Sequence, residues 1–114
     1  MERVEPMVIT IDEKDYTLEF NRETVAMAEN SGFTRDGASD KMMTLLPDLF
    51  FFAFKMHHPT IKREKTDEIL FKKLKGLRSE EIERLIELFD EPYKSLINIE
   101  EEDERKNSGV TVKL

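Results

Sequence analysis

The chain has 114 residues, of which 38% are charged and 39% hydrophobic, with a formal net charge of −7 and no cysteine. That length and apolar supply allow one domain around a single modest core. The acidic balance argues against nucleic acid or an anionic membrane surface as the main partner, and the missing thiols exclude disulfides and thiolate metal sites.

The N-terminus, MERVEPMVITIDEKD, is acidic and has neither the basic start nor the apolar stretch of a signal peptide, so an intracellular location is expected. Within residues 7–20, Val8 and Thr10 and then Tyr16, Leu18 and Phe20 fall on period-two positions. The polar cluster Asp12, Glu13, Lys14 and Asp15 separates the two runs, which predicts a β-hairpin. A lone hairpin is marginal in water, so the face with Tyr16, Leu18 and Phe20 is expected to lie on helices.

Asn21 can cap a short helix opened by Arg22, Glu23 and Thr24, with Val25, Ala26 and Ala28 as small packing residues and Gly32 as its end. The following segment, GFTRDGASD, reads as a loop that Phe33 anchors to the core.

The stretch Met42 to Met56, MMTLLPDLFFFAFKM, holds four phenylalanines. It is shorter than the roughly 20 apolar residues a spanning helix needs, and Pro47, Asp48 and Lys55 interrupt it. At about 100° per residue, Lys41, Thr44, Asp48 and Lys55 form one narrow polar stripe. Apolar residues cover the rest, with Phe50, Phe54, Leu46, Met43 and Ala53 at the centre of the buried arc, as expected of a helix in the middle of its domain. Phe51 alone projects into the stripe. Pro47 lies in the first turn or kinks the helix.

After Pro59, Thr66 is a plausible N-cap for a helix with Asp67 and Glu68 in its first turn, an apolar stripe of Leu70, Phe71, Leu74 and Leu77, and Gly76 as its break. Lys62, Arg63, Lys65, Lys72, Lys73 and Lys75 read as a solvated helix face and its approach. Ser79 starts a further helix with Glu80 and Glu81 in its first turn. Ile82, Leu85, Ile86, Phe89, Tyr93, Leu96 and Ile97 keep one face throughout. Pro92 makes this one kinked helix, or two with Asp90 as the second N-cap.

These elements predict an α+β fold, predominantly helical, with an N-terminal hairpin packed on a small bundle of four to five helices. One globular domain covers 1–98, with the hairpin at 7–20 and helices in 21–98. Residues 99–114 read as an acidic, mobile tail.

Reactive constellations are lacking. His57 and His58 point about 100° apart on a helix, unlike an i, i+4 metal pair, and fit a favourable place at a helix C-terminus. The carboxylates lie on exposed faces, and Asp12, Glu13 and Asp15 lack the glycine and final glutamate of an EF-hand loop. No phosphate-cradling glycine loop or Gly-x-Ser-x-Gly turn occurs. The expectation is a protein that is not an enzyme, binds no cofactor or metal, and works by binding other proteins. Met42, Met43 and Met56 suit adaptable contacts as well as gap-filling. Phe51, with Thr44, Asp48 and Lys55 around it, is the candidate anchor for a partner.

The order of segments resembles that of the small tail assembly chaperones of long-tailed bacteriophages infecting Gram-positive bacteria. The likeness rests on YTLEFNRETVAMAENSGF, on LLPDLFFFAFKMHHP and on the two-part helical end with its acidic tail, and it spans about 7–98. The resemblance implies a protein of the host cytoplasm that binds the tape measure protein, keeps its long apolar helices soluble and helps recruit tail tube subunits; self-association is a further possibility. In such families a longer form often exists, and the C-terminal tail would be where its extension joins. Two other functions compete: a tail-completion or connector subunit that assembles into a ring, and an acidic mimic of DNA that inhibits an enzyme.

Overall fold

A computed structural model describes residues 3–38, 40–97 and 109–114. Strands β1 (Met7–Ile11) and β2 (Lys14–Leu18) pair antiparallel with Ile9 opposite Tyr16 and Met7 opposite Leu18. The turn is only Asp12 and Glu13, both in the left-handed region at φ 51° and 68°, so Lys14 and Asp15, expected in the separator, belong to the strand. Two residues at positive φ give a turn whose twist matches that of the paired strands. Tyr16, Leu18 and Phe20 are buried as expected, while on β1 the inward set is Met7, Ile9 and Ile11 and the outward one Val8 and Thr10.

Helix α1 (Arg22–Asn30) begins in a reciprocal cap. The Asn21 side-chain oxygen accepts from the Thr24 N–H at 2.8 Å, and the Thr24 hydroxyl accepts from the Asn21 N–H at 2.9 Å. Two orphan donors are satisfied at once. The helix ends on Gly32 at φ 106°, where the Gly32 N–H donates to the Glu29 carbonyl and the Phe33 N–H to that of Ala28. This is the two-bond glycine stop that turns the next residue back onto the helix, and Phe33 is indeed buried against Phe89. Ala26, expected to pack, is exposed.

Helix α2 (Met42–Lys55) is the hub, buried through Leu45, Leu49, Phe50, Ala53 and Phe54. Met43, expected at the centre of the buried arc, is 86% exposed, on the side of the first turn of α2 away from buried Leu45. Pro47 lies inside the helix and past that turn, so the bond it forgoes is to the Met43 carbonyl in the exposed end.

Helix α3 (Arg63–Glu68) starts three residues before Thr66, on extended Lys62. Thr66 is therefore no cap: it is buried within the helix, and its hydroxyl donates to the Arg63 carbonyl. The chain continues as a wider π-helical turn over Ile69–Lys73, closed by Leu74 N–H to Ile69 C=O at 2.8 Å. Because of that turn Ile69 and Leu70 are buried and Phe71, expected in the apolar stripe, faces outward. Lys75 (φ 56°) and Gly76 (φ 97°) then end the segment.

Helix α4 (Ser79–Asp90) buries Leu85, Leu88 and Phe89, and the Glu81 carboxylate accepts from the Arg78 N–H at its start. Beyond it Glu91–Ser95 tightens into a 3-10 helix, and Asp90 makes no side-chain cap. Three residues per turn no longer match an α-helical stripe, so Leu96 and Ile97, expected on the common face, are exposed. Residues 98–108, which carry most of the expected tail, lie outside the described residues, and 109–114 are exposed. The chain is thus an α+β protein: among the described residues, a two-stranded hairpin is followed by four α-helices.

Candidate functional site

Two members of the stripe expected on α2, Asp48 and Lys55, are occupied by intramolecular partners. Asp48 accepts from Arg63 at 2.8 Å, and Arg63 also binds Asp67 at 2.9 Å. The Lys55 ammonium donates to the carbonyls of Pro59 and Ile61 and lies 4.8 Å from the centre of the Phe51 ring, with the Arg63 guanidinium 5.8 Å from the same ring. Phe51 is half-buried between these two cations, Thr44 is exposed, and the group fastens α2 to the segment leading into α3.

The histidines do more than sit at a helix end. His57 bonds the Glu19 carboxylate at 2.8 Å, and Arg3 binds the same carboxylate. Burial alone would push the Glu19 carboxyl up, but hydrogen bonds from His57 and Arg3 outweigh it and hold it below its ordinary value. The His58 ring lies against Tyr16 and Phe54, and its Nε2 accepts the Thr17 backbone N–H at 3.1 Å. Beside them the Glu19 N–H donates to the Ala53 carbonyl at 2.9 Å, near the end of α2 where helical carbonyls lose their own partners. The two imidazoles and this bond dock the hairpin on α2.

Open apolar surface lies on the other side of the core. A hollow of about 150 Å³ between α2 and α4 is lined by Phe33, Arg35, Met42, Leu46, Leu49, Ile82 and Ile86. It adjoins a larger one of about 520 Å³, lined among others by Phe33, Arg35, Phe89, Asp90, Tyr93 and Ile97. Phe33 and Arg35 belong to both, so the two form one groove, crossed by the Arg35–Asp90 ion pair at 3.1 Å. Exposed Met42 and Ile97 lie at its walls.

One wall is held by Tyr93, whose hydroxyl donates to Glu29 at 2.5 Å. Burial first, then that bond and the charges of Glu29 and Asp90, push the phenol from 10.0 up to about 12. A raised pKa contributes stability that is complete below pH 10 and is lost as pH rises through about 12. Thermal melts across that window are expected to fall more steeply for the wild-type protein than for Tyr93→Phe; parallel curves would contradict this role.

Sequence reasoning found Leu46, Ile82 and Ile86 as core and Met42 as adaptable, but not their meeting in a groove, and it passed over Arg35. Among the described residues, no group of three or more His, Asp or Glu comes together as a metal site, and no helix is long and apolar enough to cross a membrane.

The architecture and its groove define a small helical α+β domain whose most distinctive surface is apolar. The chain belongs to the family described as a domain of unknown function, DUF5055, which matches residues 4–114. No curated protein and no solved structure matched it.

Proposed function

We propose that this protein is an assembly chaperone for a long-tailed phage, which binds the tape measure protein in the host cytoplasm and helps recruit tail tube subunits. The observation that carries the binding part is the groove whose apolar end lies between α2 and α4 and whose wider, more polar end runs past Phe33 to Phe89 and Tyr93. Such a channel suits one apolar face of a client helix. The resemblance over 7–98 supports the choice of client.

The mechanism is masking at equilibrium. The groove covers an apolar face that would otherwise self-associate, and releases it when tube subunits compete for the same face. No chemistry is involved, and no cofactor. Phe51 serves this reading less well than the groove, since both Lys55 and Arg63 already lie against its ring.

Co-expression with a tape measure fragment tests the proposal. The fragment is expected to be soluble with the wild-type protein and to bind at least about tenfold more weakly to Met42→Glu or Ile86→Glu, a loss of about 1.4 kcal/mol. Circular dichroism of both variants checks their folding. A fragment that stays insoluble beside the wild-type protein would defeat the client assignment. A purified protein eluting at the mass of a large ring would favour the connector function instead.

A further inference from the structure

Phe71 is 54% exposed, and the cause is local. In a regular α-helix it would share the stripe of Leu70 and Leu74, but the π turn over Ile69–Lys73 inserts a residue and turns it out. Such turns are rare in helices and concentrate at functional sites. Phe51 shows the alternative, a ring covered by Lys55 and Arg63. Among the described residues, the Phe71 ring has no comparable aromatic or cation contact.

The sequence around it runs against the charge of the whole chain until Glu80 and Glu81 open α4. Residues 69–78 carry Lys72, Lys73, Lys75 and Arg78 and no carboxylate, within a protein of net charge −7. All four are exposed. Lys73 reaches Asp12 at 3.3 Å, across the surface to the hairpin turn. The acidic residues just before are engaged elsewhere, Asp67 with Arg63 and Glu68 with Lys65. A helix C-terminus favours cations, which accounts for lysines here but not for an aromatic ring turned into water beside them.

We propose that Phe71 with Lys72, Lys75 and Arg78 is a docking site for an acidic amphipathic protein segment, separate from the groove and independent of the phage reading. Phe71 enters the apolar face of the segment beside half-buried Leu74, and the cations meet its carboxylates. A nucleic acid fits less well. It needs a longer track of phosphate contacts, the field of the whole chain repels a polyanion, and a single ring beside aliphatic side chains makes a poor stacking platform.

The test uses fluorescence anisotropy with three labelled probes: a synthetic helix with Leu on one face and Glu on the other, its Lys counterpart, and a single-stranded oligonucleotide. The Leu/Glu helix is expected to bind, and salt is expected to weaken it. Phe71→Ser and the pair Lys72→Glu, Lys75→Glu should each weaken it at least about tenfold, with unchanged circular dichroism. Equal binding of the Lys helix, preference for the oligonucleotide, or indifference to Phe71→Ser would each overturn the assignment.

Discussion

Phe54→Ala is expected to destabilise the fold by about 3–5 kcal/mol, the range for truncating a fully buried aromatic. Phe54 is fully buried and stands where the two halves of the structure meet. Its ring makes edge contacts with Tyr16 at 5.6 Å and Phe50 at 5.0 Å, and lies 6.2 Å from His58. The loss combines buried area with a cavity that cannot collapse, because α2 and the hairpin are fixed by the Glu19–Ala53 backbone bond and the His58–Thr17 bond. Against a total of about 5–15 kcal/mol for a domain, that is a large share. Phe51→Ala, which removes a half-buried ring and two cation contacts, should cost distinctly less. Urea unfolding followed by circular dichroism ranks the two. A larger loss for Phe51 would mean that the α2–α3 fastening, not the hairpin dock, limits stability.

What was legible in the sequence is what short-range chemistry dictates. The two strands, the Asn21 cap and the glycine stop with Phe33 behind it depend on residues within a few positions of one another, and each stands where expected. The departures have a common cause in backbone geometry or long-range contact. Thr66 has the chemistry of a cap, but the Lys62 backbone is extended and the helix starts there. Phe71 and the pair Leu96 and Ile97 were placed by assuming 3.6 residues per turn, where the chain is π-helical in one case and 3-10 in the other. Composition gives no warning of either change except Pro92.

The candidate site was less legible than the fold. Ile82 and Ile86 carry an unmistakable helical stripe, yet periodicity reports only that a face is apolar, not whether a neighbour covers all of it. The gap between α2 and α4 depends on where the loop carrying Phe33 and Arg35 comes to rest. In the same way, His57 and His58 follow an apolar helix, for which the dipole is the local explanation. Their partners Glu19 and Thr17 lie 38 and 41 residues away.

His58 makes the fold sensitive to pH. The Nε2 of His58 accepts a backbone N–H, so the bond requires the neutral ring. Burial, then the charges of His57 and Lys14, lower its pKa from the ordinary 6.5. A depressed pKa means that the unfolded chain binds the proton more readily, so the stability that His58 contributes is complete above pH 6.5 and is lost as pH falls through the lower folded value. Glu19 is also depressed, and its contribution is present above 4.5 and lost as pH falls further, so two acid-labile windows follow in sequence. Asp90 works in the opposite sense: burial raises it against the charges of Arg35 and Lys94, so its protonation favours the folded state as pH falls. Denaturant unfolding at a series of pH values should therefore show stability declining below 6.5 and again below 4.5. His58→Gln keeps an acceptor for the Thr17 N–H without a titrating ring and should flatten the first decline while leaving the second; Glu19→Gln should do the reverse. A first decline that persists in His58→Gln would assign it to another group and leave His58 a packing role between Tyr16 and Phe54.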